Sequence, residues 1–333
     1  MRTTRRIKTI DAHVAGDSLR LIVGGLPRIR GTSMVEKRTW LRKRWDRIRR
    51  TLVNEPRGHT DMCAAVLTEP VTPGSDAGVL FMDSEGYAFT SGHGIIAVVT
   101  IALERRLFER ASSVSDIVLD TPAGTVTAHV TCQGERVSQV SFVNVPSFVL
   151  RAGISVQLGD RVIPVDVAFG GAFYAITDSE SLGVPVQTAT LSELRKFGSA
   201  LRKKVESVVR SVHPLEPTLC GIQGVIITGL PEGDDVDLRS VTIVGEGQAR
   251  RSPSGTGVAA VMAVADAMGV LDHSRSFVLE SLIGTRLMGS FVRRTTIGEV
   301  PAIVTRIDGT AWITGDHEFL VCDDDPFRDG FRL

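Results

Sequence analysis

Two stretches of the sequence, one in each half of the chain, begin with the same pattern and continue as an apolar segment. Residues 91–102 read SGHGIIAVVTIA, and residues 254–265 read SGTGVAAVMAVA. A segment that is apolar nearly all round predicts a buried helix. The repeat fits two pseudo-symmetric domains, each wrapping a sheet around one central helix. It fits equally well two unrelated helices that happen to begin at glycines.

Most of the remaining pattern consists of short alternating or β-branched runs bounded by turn residues, which predict strands. These runs are residues 19–23, 78–82, 117–119, 125–130, 137–143, 162–167, 225–228, 240–244, 303–307 and 311–314. Helical patterns are fewer and cover residues 34–52, 93–107, 190–212, 257–268 and 272–276. Strand-rich segments interrupted by a few helices predict an α+β fold rather than a regular alternation of strands and helices.

Composition excludes several classes of protein. The 38 Lys and Arg residues balance the 38 Asp and Glu residues, which argues against a chain-wide role in binding nucleic acid or a membrane surface. The longest apolar stretch, residues 95–103, is too short to span a membrane, and the basic start lacks the apolar region of a signal peptide. With four scattered cysteines and no zinc-ligand or nucleotide-binding spacing, we expect a soluble, reduced, cytoplasmic protein without metal or cofactor.

Residues 36–52 (EKRTWLRKRWDRIRRTL) are unusually basic. One interpretation is a surface for nucleic acid or another anionic ligand. The interpretation that we favour is an amphipathic helix, with Trp40, Ile48 and Leu52 packed inward and the arginines in solvent.

The two predicted helix starts can hold an anion. A helix N-terminus presents unpaired backbone N–H groups and the positive end of the helix dipole, and glycines let an anion approach the backbone. If both starts faced one cleft, they would grip a carboxylate from two sides, with Ser91 and Ser254 on opposite faces of the bound molecule. That arrangement suits acid–base chemistry at the carbon next to the carboxylate.

The sequence resembles the proline racemase family over nearly its whole length and in the right order. The residues that carry the resemblance are 10–13 (IDAH), Arg20 with 23–25 (VGG), 55–59 (EPRGH), 91–94 (SGHG), 169–175 (FGGAFYA) and 251–257 (RSPSGTG). The resemblance implies two pseudo-symmetric domains of the diaminopimelate epimerase type, each with a curved, mostly antiparallel sheet around an apolar helix. It also implies cofactor-independent chemistry on a small carboxylate or imino acid, namely proline racemisation, 4-hydroxyproline epimerisation or trans-3-hydroxy-L-proline dehydration.

The resemblance also places the site and the domains. We expect a first domain over residues 1–150, to which residues 322–333 return, and a second over residues 151–321, with the active site in the cleft between them. The chain would cross between its halves near Pro146 and Ser147. A homodimer is the expectation for the family.

The expected site residues follow from the same motifs. The catalytic residues are Ser91 and Ser254, and the substrate-binding residues are Gly92, His93, Gly255, Thr256 and Arg250.

Two features depart from the family pattern. Ser91 and Ser254 stand where racemases carry two cysteines, and a serine hydroxyl is a far weaker acid that needs a neighbouring base, for which His93 is the candidate. Arg250 stands where the family has an aspartate beside the imino nitrogen of the substrate, and Glu246 is the candidate counter-charge. A single weak base favours elimination over two-face proton exchange.

Two functional hypotheses remain open. The first is an enzyme, with dehydratase-like chemistry ahead of epimerisation, or an unfamiliar lyase or isomerase activity. The second is a binding protein that keeps the site but has lost catalysis. Among the cysteines, Cys63 is expected to pack in the core rather than to replace a catalytic thiol.

Overall fold

The computed structural model describes residues 4–107 and 116–332. Residues 1–3, 108–115 and 333, which fall inside the predicted first domain and its returning segment, lie outside the described residues. The chain divides into two compact units, of which unit 1 comprises Met1–Phe142 with Gly309–Leu333 and unit 2 comprises Val143–Asp308. The returning segment thus begins at Gly309 rather than at residue 322, because the whole of the last strand pairs with the first.

Strands dominate both units. In chain order they are β1 (Thr4–Val14), β2 (Asp17–Gly24), β3 (Cys63–Thr68), β4 (Ala77–Met82), β5 (Tyr87–Ala88), β6 (Asp116–Thr121), β7 (Gly124–Gln133), β8 (Arg136–Val143), β9 (Phe148–Leu158), β10 (Arg161–Phe169), β11 (Phe173–Asp178), β12 (Ile222–Gly229), β13 (Leu238–Val244), β14 (Gln248–Ala249), β15 (Phe277–Ser281), β16 (Arg286–Ile297), β17 (Val300–Gly309) and β18 (Ala311–Cys322). The helices are α1 (Met34–Val53), α2 (Gly92–Glu104), α3 (Ser179–Leu182), α4 (Leu191–Val208) and α5 (Gly255–Ala267).

The two units repeat one strand topology. In unit 1, β18, β1 and β2 are antiparallel neighbours, β2 is parallel to β3, β3 antiparallel to β4, β4 parallel to β6, and β6 antiparallel to β7. In unit 2 the same series of relations runs through β9, β10, β11, β12, β13, β15 and β16. The repeat in the sequence is therefore a repeat of the fold, and the predicted pseudo-symmetric α+β architecture is confirmed.

Each unit holds one apolar helix. Helix α2 packs against β1, β2, β3, β7 and β18, and all of its residues from Gly92 to Ala102 are buried. Helix α5 packs against β9, β10, β11 and β16, and all of its residues from Gly255 to Val264 are buried. A helix without a polar face cannot lie at a surface, so each sheet curves around its own helix.

Other helix predictions were confirmed in part. Helix α4 ends at Val208 rather than at residue 212, because the backbone of Val209 is extended. The helix predicted over residues 272–276 is wrong, because the Asp272 carboxylate accepts the Ser274 N–H at 2.8 Å and forms a turn instead. In the described part of the chain, no helix is both long and apolar enough to cross a membrane.

The basic segment forms helix α1, as predicted, but not all of its arginines lie in solvent. Ile48 and Leu52 are buried as predicted, whereas Trp40 is half-buried. Arg49 is also buried, contrary to the prediction that the arginines lie in solvent. Its guanidinium donates to the carboxylate of Asp46 at 2.7 Å, which balances the charge inside the unit.

Candidate active site

Ser91 ends the loop before α2 and caps that helix. Its backbone is extended (φ −150°, ψ 114°), and its Oγ accepts the N–H of Gly94 at 3.2 Å. The same Oγ lies 3.3 Å from Nδ1 of the buried His93. Because Oγ already accepts a hydrogen from Gly94, its own hydrogen can point at His93 Nδ1. A Cβ at Gly94 would lie 2.4 Å from the Phe81 ring and 2.8 Å from Ser91 Oγ, which explains the glycine.

Ser254 stands at the same point before α5 but adopts a different conformation. Its φ of 62° and ψ of 120° lie outside the regions that residues with a Cβ normally occupy, and its side chain does not cap the helix. Such a conformation costs about 1–3 kcal/mol and is found chiefly at functional sites. Ser254 Oγ instead lies 3.3 Å from the hydroxyl of Thr256. The Ser254 N–H donates to Ser252 Oγ at 3.2 Å, which holds the turn.

Thr256 joins this start of α5 to strand β11. Its Oγ1 lies 2.7 Å from Oη of Tyr174, whose side chain is also buried. A Cβ at Gly170, in the motif that precedes β11, would lie 2.2 Å from the backbone oxygen of Thr256. The glycine therefore allows the turn between β10 and β11 to touch the start of α5. Tyr174 is not among the site residues expected from the sequence, because only the fold brings its hydroxyl to Thr256.

Arg250 lies four residues before Ser254, directly after β14, and is half-buried. Its N–H donates to the carbonyl of Thr242 at 2.9 Å. Glu246, the candidate counter-charge, is exposed, and its carboxylate binds Lys203 at 2.6 Å. The hydrogen bond from the Lys203 ammonium lowers the pKa of Glu246. The ion-pair partner of this carboxylate is therefore a residue of helix α4.

The predicted site residues therefore form two groups. Ser91 with Gly92 and His93 occupies the start of α2 in unit 1. Ser254 with Gly255, Thr256 and Arg250 occupies the start of α5 in unit 2.

The opening motif of the chain serves the fold of unit 1. The guanidinium of Arg20 holds both carboxylate oxygens of Asp11, with the shortest contact at 2.7 Å, and also donates to the backbone carbonyls of Leu52 and Arg57. Both charged side chains are buried, so the ion pair is satisfied internally. Cys63 is buried in strand β3, which confirms its predicted packing role.

Two sheet-rich units of one topology, each with a serine before a buried helix, define a protein of the diaminopimelate epimerase-like class. Its sequence matches the proline racemase family model over residues 9–332. The chain belongs to the proline racemase family.

Its relatives within the family carry out different reactions. The trans-3-hydroxy-L-proline dehydratase of Bacillus thuringiensis subsp. konkukian is 40% identical over 333 residues, and the proline racemase of Clostridioides difficile is 36% identical over 334 residues. Both matches cover 100% of each chain. Family membership therefore leaves the reaction to be argued from the site.

Solved structures share the fold. The hydroxyproline epimerase from Agrobacterium vitis, crystallised with trans-4-hydroxy-L-proline, superimposes with a TM-score of 0.93 at 28% identity, covering 99% of this chain and 95% of that one. A Bacillus anthracis phenazine biosynthesis protein of the PhzF family superimposes with a TM-score of 0.58 at 12% identity, covering 96% of this chain and 100% of that one. The second likeness concerns the fold alone.

Proposed function

We propose that the chain is a cofactor-independent lyase that dehydrates trans-3-hydroxy-L-proline or a close relative of it. Ser91 and Ser254 act on one bound molecule, and they do so in different roles. The observation that carries the proposal is the unlike surroundings of the two serines. Ser91 Oγ is 3.3 Å from an imidazole nitrogen that can accept a proton, whereas Ser254 Oγ is 3.3 Å from another hydroxyl. One base and one acid suit elimination, whereas racemisation requires either residue to serve as base.

The proposed step balances as a loss of water. Ser91, whose hydroxyl proton passes to His93, removes the proton from the α-carbon. The electrons of that C–H bond form a double bond between the α-carbon and C3, and the C3–O bond breaks. The hydroxyl leaves as water with a proton from Ser254. Ser91 is then a hydroxyl again, His93 holds the proton that Ser91 first gave up, and Ser254 lacks one, so transfer of one proton from His93 to solvent and of one from solvent to Ser254 restores the starting state.

The starts of the two helices supply the carboxylate contacts. Backbone N–H groups in their first turns, at Gly92 and His93 and at Gly255 and Thr256, would bind the substrate carboxylate, which the helix dipoles stabilise. Arg250 would repel a protonated imino group, since a guanidinium is always charged. We therefore expect trans-3-hydroxy-L-proline to react in the form whose imino nitrogen is neutral, and a close relative that carries a second acidic group to be favoured by Arg250. The cleft between the domains and the homodimer stay predictions.

The second candidate is a binding protein without catalysis. What favours it is the pair of serines itself, because a hydroxyl is much less acidic than the thiol of a racemase cysteine. Such a protein would bind the same small carboxylates and leave them unchanged.

The decisive experiment follows L- and D-proline and the 3- and 4-hydroxyprolines by proton NMR in D2O with the purified protein. We expect dehydration of trans-3-hydroxy-L-proline. Exchange of the α-proton without dehydration would favour epimerisation, and ligand binding without either reaction would favour the second candidate. A Ser91→Cys/Ser254→Cys variant, with and without Arg250→Asp, tests whether the site regains epimerase activity.

A matched control separates chemistry from helix capping. Ser33 Oγ caps α1 by accepting the Glu36 N–H at 3.2 Å, the same contact that Ser91 makes to Gly94. Ser91→Ala should abolish dehydration, whereas Ser33→Ala should lose the same kind of cap and keep turnover. Equal activity in the two variants would contradict the role of Ser91.

A further inference from the structure

Three hydroxyl groups at the start of α5 form a continuous chain. Tyr174 Oη lies 2.7 Å from Thr256 Oγ1, which lies 3.3 Å from Ser254 Oγ. All three side chains are buried, with exposures of 4%, 3% and 8%. Hydrogen bonds between buried hydroxyls polarise one another, so the direction of the outer bond influences the inner one.

The hydrogen bonds between these three hydroxyl groups have a preferred direction of donation. A buried hydroxyl hydrogen that finds no acceptor costs free energy, and among the described residues Thr256 Oγ1 is the hydrogen-bond partner of the Tyr174 hydroxyl. A phenol is also a better hydrogen donor than an aliphatic hydroxyl. Tyr174 therefore donates to Thr256, and Thr256 donates onward to Ser254 Oγ. The hydroxyl hydrogen of Ser254 then points away from Thr256.

We propose that Tyr174 is a positioning residue that, through Thr256, makes Ser254 the proton donor of the site. The inference rests on the proposed dehydratase function, since it assigns Ser254 the proton that the departing hydroxyl takes up. Negative charge that develops on Ser254 Oγ as this proton leaves is stabilised by the Thr256 hydrogen bond. Ser254 is thereby disfavoured as a base, and the reaction is directed toward elimination.

The surrounding fold holds the three groups in place. In the pairing of the strands, Tyr174 of β11 lies opposite Ala168 of β10 and Gly224 of β12. The strained backbone of Ser254 turns its side chain from the capping position toward Thr256.

The kinetic test uses Tyr174→Phe, which keeps the buried ring and removes only the hydroxyl. We expect kcat for trans-3-hydroxy-L-proline to fall about tenfold with KM changed less than about twofold, since the variant weakens one contribution to general acid catalysis. Thr256→Val should lower kcat at least as much, and adding Tyr174→Phe to it should cause no further loss. Thr256→Ser keeps the hydroxyl and should lose less kcat than Thr256→Val does. Tyr87, the other of the two tyrosines, is buried in unit 1, and Tyr87→Phe should match the wild type.

A second test needs no turnover. Labelling with tyrosine carrying ¹³C at Cζ should give one NMR signal for each of the two tyrosines, which Tyr87→Phe assigns. The Tyr174 signal should move in Thr256→Val and, by transmission through Thr256, in Ser254→Ala. It should not move in Ser91→Ala.

The outcomes separate the inference from the proposed function. If the wild type dehydrates the substrate and Tyr174→Phe is equally active, the inference is overturned. If the wild type dehydrates none of the substrates, the proposed function fails and the NMR test decides. A Tyr174 signal that responds to both variants then supports the directed chain to Ser254, and one that does not respond overturns it.

Discussion

Replacing Ser254 with glycine is expected to stabilise the protein while removing a proposed catalytic group. Ser254 has a φ of 62° and a ψ of 120°, a conformation that costs glycine less than serine because glycine has no Cβ. Its hydroxyl makes no capping bond to α5, so the substitution does not expose the helix end further. Stability and function therefore oppose each other at this residue.

The magnitude follows from three contributions. Relief of the backbone strain is worth about 1–3 kcal/mol. The greater freedom of glycine in the unfolded chain offsets about 0.4–1 kcal/mol of this gain, and the long hydrogen bond to Thr256 offsets about 0.5 kcal/mol more. We expect the free energy of unfolding to rise by about 1 kcal/mol.

Ser91→Gly is the matched comparison. Ser91 has an ordinary φ of −150°, and its Oγ caps α2 through Gly94, so glycine there relieves no strain and loses the cap. We expect the free energy of unfolding of this variant to be lower than that of the wild type by a few tenths to about 1 kcal/mol. Urea unfolding of both variants and the wild type, followed by circular dichroism, measures the difference. If Ser254→Gly destabilised the protein as much as Ser91→Gly does, the argument from strain would be refuted.

Two further predictions concern unit 2. Gly170→Ala should destabilise the protein by about 1–3 kcal/mol, because its Cβ would lie 2.2 Å from the backbone oxygen of Thr256, and an unchanged urea midpoint would contradict this. Burial lowers the pKa of His213 below its ordinary value of 6.5. As the pH falls below about 6.5, His213 therefore takes up a proton in the unfolded chain but stays neutral in the folded one. The free energy of unfolding decreases over this range, until the pH reaches the pKa of His213 in the folded protein. His213→Asn keeps an acceptor for the N–H groups of Leu215 and Glu216 but cannot titrate, so its stability should fall less between pH 6.5 and 5 than that of the wild type; parallel pH curves would count against this.

The central features of the fold could be predicted from the sequence because they depend on local pattern. Two apolar helices beginning with Ser-Gly are visible without any knowledge of their partners. Strands such as β9 and β16 were missed because charged and exposed residues interrupt their apolar alternation. Their strand character comes from pairing with β10 and β17, which a local pattern does not contain.

The candidate site shows the same division. Ser91, His93 and Ser254 are recognisable in short motifs, and the structure adds their individual surroundings. The contact between Tyr174 and Thr256 joins residues 82 positions apart, and only the packing of β11 against α5 produces it. Likewise, the ion pair between Glu246 and Lys203 depends on the position of helix α4.

The pairing of β1 with β18 bears on how the chain acquires its structure during synthesis. The two strands pair along their whole length, from Thr4 opposite Cys322 to Val14 opposite Ala311, with one shift of register between Asp11 and Ala12. Strand β1 has β2 on one side, but its other edge lacks a neighbour until β18 has been synthesised, whereas unit 2 is one continuous segment that can fold earlier. Until then, the edge of β1 that later pairs with β18 is unpaired, and an unpaired strand edge promotes aggregation and chaperone binding.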